Sequence, residues 1–285
     1  MHQLTKQHIQ KLLKPREADS HKGTYGHALI IAGNKYKMGA AVIAAKACLR
    51  SGVGLLTINI PEDERLIIQT TVPEAMLAPR EKPKYNIDDF SAAGIGPGIG
   101  TERSAEKMLT QALTECSKPM LLDADALNIL ASNKNLFSLL KEGTIITPHP
   151  KEFDRMFGEH DTAADRINTA IQKAQEYNIV IVLKDHQTLI THNGEAFQNT
   201  TGNAGLAKGG SGDALTGIIT AFLAQGYEPF VAAQIGVYLH GLAADITLQT
   251  QSMESMLITD VIENLGKAFK EILPTRKTPM GFKIP

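Results

Sequence analysis

Residues 202–213 read Gly-Asn-Ala-Gly-Leu-Ala-Lys-Gly-Gly-Ser-Gly-Asp and run straight into the apolar stretch Ala-Leu-Thr-Gly-Ile-Ile-Thr-Ala-Phe-Leu-Ala. Glycine lets backbone N–H groups converge on one point with no Cβ in the way. A helix start adds unpaired donors and partial positive charge at that point. Five glycines in twelve residues, then a carboxylate opening a helix, are hard to explain by folding alone. The combination reads as an anion cradle with a potential base, Asp213, inside it, and points to phosphate chemistry.

Other residues could complete such a site. Asp123 and Asp125 lie two apart where a strand gives way to a helix; such carboxylates can hold Mg²⁺ directly or through water, with helix capping by Asp125 as the competing reading. His149 stands between Pro148 and Pro150, and that rigid Pro-His-Pro segment suits substrate contact or a purely structural turn. Lys184 ends an apolar run and could meet a phosphate with its charge, or simply reach solvent. The run Gly-Ile-Gly-Pro-Gly-Ile-Gly at 94–100 fails the G-x-G-x-x-G spacing in every frame, and Pro97 lacks an N–H. It reads as a tight strand-to-helix turn or a close approach of ligand to backbone. No G-x-x-x-x-G-K-[ST] motif is present, so a P-loop is excluded. His240, within an apolar helical stretch, reads as a satisfied core residue.

These residues need a frame. Apolar runs at 27–32, 54–60, 91–95, 119–123, 143–147 and 179–184 read as buried strands. Helical patterns cover 39–51, 101–116 (Thr101 as N-cap), 124–140 and 162–177. A further strand at 188–192 turns tightly at Asn193-Gly194 into 195–197. From Asp213 onward the chain is nearly all helical. Strands rich in Val, Ile and Leu that alternate with helices imply an α/β fold with a mostly parallel sheet covered on both faces. Ligands of such sheets bind beyond the carboxyl ends of the strands. Asn34, the 94–100 run, Asp123, Asp125, His149, Lys184 and the 202–213 loop all follow strands. One site is the economical explanation.

Composition narrows the class. The 285 residues carry 29 basic and 30 acidic side chains, a net charge of −1, so neither a nucleic-acid surface nor a membrane polybasic patch is expected. Cys48 and Cys116 are the only cysteines, far apart and without metal-ligand spacing, which fits a reducing compartment. The polar N-terminus has no signal-peptide core, and no uncharged apolar run reaches the roughly 18 residues of a membrane span. The expectation is a cytoplasmic protein of one domain, residues 1–285, with no nucleic-acid or membrane partner.

The segment Ala-Lys-Gly-Gly-Ser-Gly-Asp-Ala-Leu-Thr-Gly at 207–217 resembles the signature of the ribokinase-like superfamily, a three-layer α/β/α fold whose G-[TS]-G-D pattern forms an anion hole with a catalytic aspartate. Four further segments narrow the resemblance: Ser-His-Lys-Gly-Thr-Tyr-Gly at 20–26, Gly-Pro-Gly at 96–98, Asp-Ala-Asp-Ala-Leu-Asn at 123–128 and Thr-Pro-His-Pro-Lys-Glu-Phe at 147–153. Together they resemble the ADP/ATP-dependent NAD(P)H-hydrate dehydratases. The resemblance implies a lyase that phosphorylates the ring hydroxyl of the S-epimer of NADHX or NADPHX, then expels phosphate to restore NADH or NADPH, with ADP becoming AMP. It implies Asp213 as catalytic base, Ala40, Gly98, His149 and Asp213 at the hydrate, and Lys184, Asp185, His186, Gln187, Thr188, Gly210, Ser211 and Gly212 at the nucleotide. The amides of Gly210–Gly212 would stabilise the transferring phosphate, and Mg²⁺ would bridge the phosphates. The family is commonly tetrameric, so a homotetramer is expected, as is a separate epimerase, since bifunctional members carry theirs as an N-terminal domain. The family pattern has Lys-Gly where this chain has Lys184-Asp185. The alternatives are an ATP-dependent kinase of a small hydroxylated metabolite, such as a vitamin precursor or sugar, and a nucleotide sensor without turnover.

Overall fold

The computed structural model describes residues 1–81 and 85–273, so parts of the expected 1–285 unit lie outside the described residues. The strands are β1 (His2–Gln3), β2 (His27–Ile31), β3 (Leu55–Ile60), β4 (Met76–Pro79), β5 (Ala92–Ile95), β6 (Met120–Leu122), β7 (Ile145–Ile146), β8 (Val180–Leu183), β9 (Leu189–His192) and β10 (Glu195–Gln198). The helices are α1 (Lys6–Leu12), α2 (Met38–Arg50), α3 (Arg65–Thr71), α4 (Arg103–Glu115), α5 (Asp125–Ser132), α6 (Pro150–Phe157), α7 (Ala163–Glu176), α8 (Ser211–Ala224), α9 (Pro229–Thr247) and α10 (Ile258–Ile272).

Among the described residues these strands form one sheet in the order β1-β10-β9-β8-β7-β6-β5-β2-β3-β4. From β8 to β4 every pairing is parallel, while β9 runs antiparallel to both β8 and β10. The chain winds outward from β2 through β3 to β4, returns to lay β5 on the other side of β2, and winds outward again. The crevice outside the carboxyl ends of β2 and β5 is therefore the topological switch point, where open α/β sheets bind ligands.

Alternate residues of each strand feed opposite faces, as the pleat requires. Ala28 and Ile30 pack with α1, α2, α3, α8, α9 and α10, whereas Leu29 and Ile31 pack with α4, α5, α6 and α7. This is the expected three-layer α/β/α arrangement. By length and composition α9 could cross a membrane, but 78% of its apolar window is buried inside the protein, and it forms the middle of the first layer.

The expected strands and most helices appear within a few residues of their anticipated bounds. Asn193 and Gly194 both take positive φ (47° and 81°), the geometry a two-residue hairpin turn demands. Two expectations need correction. The helix anticipated over 124–140 is broken at Asn133, whose φ/ψ of −127°/83° leaves α5 and a separate 3₁₀ turn, Lys134–Leu139. Asn133 instead donates its side-chain amide to Glu106 at 2.7 Å, a bond to α4 that a continuous helix would forfeit. Thr101 does not cap α4: that helix starts after Glu102, which makes no side-chain capping bond.

The helices α2 and α8 pack with little between them, because Gly217 faces Ala44. A Cβ at position 217 would sit inside the van der Waals surface of the Ala44 carbonyl oxygen. Gly217→Ala should therefore cost about 1–3 kcal/mol through overpacking, read as a lower denaturation midpoint at unchanged slope. A variant as stable as the parent would show that the two helices are free to separate.

Candidate active site

The residues at the carboxyl ends of β6 and β8 meet the start of α8 through one buried carboxylate. Asp123, 1% exposed, accepts at Oδ1 from Lys184 Nζ (2.8 Å) and at Oδ2 from Thr216 Oγ1 (2.9 Å). Burial by itself would raise the Asp123 pKa, but the Lys184 ammonium and these hydrogen bonds outweigh it and hold the carboxyl below its ordinary range. A buried charge requires such pairing. Lys184 thus keeps company with a carboxylate, and Thr216, which sequence reasoning missed, completes it. Spacing carried no signal for either contact, since the partners lie 61 and 93 residues from Asp123.

Gly210 caps α8 in the left-handed region, φ 95°, where glycine alone is unstrained. It supplies no side-chain cap, so the first-turn donors stay available. Of the three amides expected to meet a phosphate, that of Ser211 is taken by the Lys208 carbonyl (3.3 Å); those of Gly210 and Gly212 meet no acceptor among the described residues. Gly212 has a second reason to be glycine. A Cβ there would lie 3.2 Å from Lys184 Nζ and 3.3 Å from Asp123 Oδ2, crowding the ion pair.

Asp213 follows in the same turn. Burial, and then the neighbouring Asp123 carboxylate, raise its pKa to about 6, against the pull of Lys184. A carboxyl poised near neutrality beside free amides is a recognisable general base.

His149 does more than end a strand. Its Nδ1 accepts from the Glu152 N–H (3.2 Å), while Glu152 Oε2 accepts from the His149 N–H (2.9 Å), a reciprocal capping box at the start of α6 with Pro150 in the first turn. Engaging Nδ1 as an acceptor leaves the proton on Nε2. Burial and the charges of Lys184 and Arg155 lower the His149 pKa and keep the ring neutral.

His149, Lys184, Asp185, His186, Thr188, Ser211 and Gly212 line one cavity of about 760 Å³. Gln187, Gly210 and Asp213 do not line it. Asp185, the departure from the family pattern, turns its carboxylate onto the His186 amide (2.7 Å). The other expected contacts, Ala40 and Gly98, lie at the switch-point crevice, where a Cβ on Gly98 would be 3.2 Å from Ala40 Cβ. Asp125 joins the two halves: it does not cap its helix, and its Oδ2 accepts from the Gly100 amide (2.9 Å) and Lys37 Nζ (3.4 Å). His240 corrects another expectation. It is buried on the wall of the cavity that His149 and Lys184 line, its Nε2 meets no partner among the described residues, and burial pulls its pKa down to about 4.

Residues 28–267 match the family model described as NAD(P)H-hydrate dehydratase. The chain belongs to that family. It is 36% identical over 278 residues to the ADP-dependent (S)-NAD(P)H-hydrate dehydratase of Bacillus subtilis, covering 93% of this chain and 98% of that one. A crystal structure of the B. subtilis ADP/ATP-dependent enzyme co-crystallised with ATP/Mg²⁺ aligns with a TM-score of 0.85 at 33% identity, covering 95% and 98%. A ribokinase-like superfamily protein from Enterococcus faecalis aligns at 0.86 with 31% identity, covering 95% and 96%, so the fold is ribokinase-like. The bifunctional NAD(P)H-hydrate repair enzyme of Vibrio cholerae is 38% identical over 259 residues; the match takes in 89% of this chain but 51% of that relative's length. For a dehydratase-family member, the 202–213 loop and the Pro-His-Pro segment are the expected marks, and here both converge on the Asp123–Lys184 pair.

The raised Asp213 pKa has a stability consequence with a definite sign. Below about pH 3.8 the carboxyl is protonated in both folded and unfolded chains, and its favourable contribution is complete. As pH climbs toward 6 the unfolded chain loses the proton first and that contribution is lost. Asp213→Asn should therefore melt higher than the parent at pH 7–8, with the gap closing below pH 4. Equal melting temperatures at both pH values would refute the raised pKa.

Proposed function

We propose that the protein is an ADP-dependent (S)-NAD(P)H-hydrate dehydratase. The observation that carries the reading is the Asp213 carboxyl, raised to about 6, in the first turn of an uncapped helix beside the Asp123–Lys184 pair. Family membership favours this reading over a small-metabolite kinase. Hydrated reduced nicotinamide has a ring hydroxyl where NADH or NADPH has a double bond. Asp213 takes the hydroxyl proton as the oxygen attacks the terminal phosphorus of ADP; the bond to AMP breaks, and AMP leaves. The α8 amides take up charge on the transferring group. The ring C–O bond then breaks with phosphate as leaving group, and the adjacent carbon loses a proton to restore the double bond.

The roles of the other residues follow from their places. Ala40 and Gly98 form the floor for the hydrated ring, and the Nε2–H of His149 donates toward it. Lys184, Asp185, His186, Thr188, Ser211 and Gly212, which line one cavity, surround the nucleotide. Mg²⁺, when bound with the nucleotide, would supply charge neutralisation at the phosphates. No three His, Cys, Asp or Glu side chains cluster to hold a metal among the described residues, and both Asp123 oxygens are claimed. Asp125, with one oxygen unclaimed, would be the carboxylate available to hold such an ion through water.

Mixing the protein with NADHX, ADP and Mg²⁺ should restore the near-ultraviolet absorbance of reduced nicotinamide. No recovery with either ADP or ATP would sink the assignment, and a stable phosphorylated product from ATP would favour the kinase. Asp213→Asn should lower kcat by about 10²-fold or more. In the parent, kcat/KM should rise as pH passes through about 6, where Asp213 ionises; the variant's residual activity should not show that limb.

A further inference from the structure

A second cavity, of about 530 Å³, opens on the carboxyl ends of β2, β3 and β5, against the side of α4. Its wall includes Ile31, Asn34, Asn59, Arg80, Ile99 and Met108. It adjoins the nicotinamide floor directly: Ile99 follows Gly98, and Asn34 donates to the Ile99 carbonyl at 3.4 Å. The two cavities thus lie on the same edge of the sheet, with Ala40, Gly98 and Asp125 between them.

Arg80 is the unusual group. Its guanidinium is half-buried, with Nε donating to Asn59 Oδ1 (3.1 Å) and Nη2 to the carbonyls of Ala32 (3.0 Å) and Asn59 (3.2 Å). All three acceptors are neutral. No carboxylate lies within ion-pair distance of Arg80 among the described residues, and its Nη1 has no acceptor there. Of the carboxylates on the cavity wall, Glu81 accepts from the Glu62 amide, Glu102 from Asn34 and Glu115 from Gln111, neutral donors that orient them and leave their charge in place, while Lys107 adds a second cation to the wall. Glu81 and Glu102 act on Arg80 through space but neither is bonded to it, so the half-buried guanidinium keeps Nη1 for a further acceptor, and guanidinium is shaped to take a phosphate on two parallel N–H groups. Apolar walls beside it suit a flat base, and the volume is that of a small-molecule site.

We infer that this cavity seats the adenylate half of the hydrated dinucleotide, with Arg80 on one of its phosphates, while the hydrated ring reaches back over Gly98 and Ala40 to Asp213. The inference rests on the dehydratase reading for the identity of the substrate. Two adenylates then bind at opposite ends of one crevice: ADP against α8, and the substrate's own adenylate against β3 and α4.

The test compares NADHX with the hydrate of reduced nicotinamide mononucleotide, which lacks the adenylate. In the parent, kcat/KM should favour the dinucleotide tenfold or more. Arg80→Gln and Met108→Trp, the second filling the cavity without touching the guanidinium, should each cut that preference tenfold through the KM for NADHX, with the KM for ADP unchanged. A preference that survives in both variants, with melting curves showing them folded, overturns the proposal. A binding arm keeps its failure apart from that of the dehydratase reading. ADP-ribose is titrated into protein saturated with a non-hydrolysable ADP analogue. Binding at least tenfold weaker in both variants is expected, and it would support the cavity even if neither hydrate turns over. Binding equal to the parent's rejects it. Should the variants bind ADP-ribose weakly yet keep the parent's preference for NADHX, the cavity holds a separate adenylate rather than the substrate's, and the assignment also fails.

Discussion

The Asp123–Lys184 pair is the constraint on which the rest of the site depends. A carboxylate almost wholly removed from water has to be matched, and here one ammonium and one hydroxyl match it. Because those partners come from the end of β8 and the first turns of α8, the pair ties the end of β6 to both. It also explains Gly212, since any side chain there would press on both charges. Asp213 inherits its pKa from the same geometry: one turn of helix places it near Asp123 in a partly dehydrated setting, and the Lys184 charge, shared with Asp123, relieves it only in part.

The anion cradle works against stability. The free amides of α8, the left-handed Gly210 and the reluctant Asp213 are each features that a helix built only for stability would lack. The sheet supports them by over-determination. Its central strands are buried on both faces, and two separate apolar layers hold its helices.

Much of this was legible in the residues themselves. Strands read as unbroken runs of Val, Ile and Leu because parallel strands buried on both faces must be apolar throughout, the polar groups ending them marked the carboxyl edge, and Asn193-Gly194 announced its turn through backbone preference alone. The unreadable parts depend on partners distant in sequence. The break at Asn133 follows from a bond to Glu106 on another helix, so local periodicity across 124–140 gave no warning. The edge strand β4 is short and ends in Pro79, which weakens any strand pattern. Asp123 looked like a metal ligand because its partner Lys184 stood at the end of a different strand. Arg80 drew no attention because a lone arginine beside an edge strand is ordinary until its acceptors prove to be neutral. His240 looked like a satisfied core residue for the converse reason: apolar neighbours in sequence do not reveal an absent hydrogen-bond partner.

The contact between Gly217 and Ala44 has a further meaning for how such an enzyme diverges. Ala40 stands at the start of α2 and Asp213 at the start of α8, so the gap between the two is set by how closely two backbones lie. That gap is inherited from a helix interface and not from any residue that touches the substrate. Mutational drift along the interface is confined to the smallest side chains, and that distance changes only if one helix shifts against the other. Loops and edge strands carry no such lien, so a lineage exploring new substrates would vary at the rim of the crevice long before it varied at its centre.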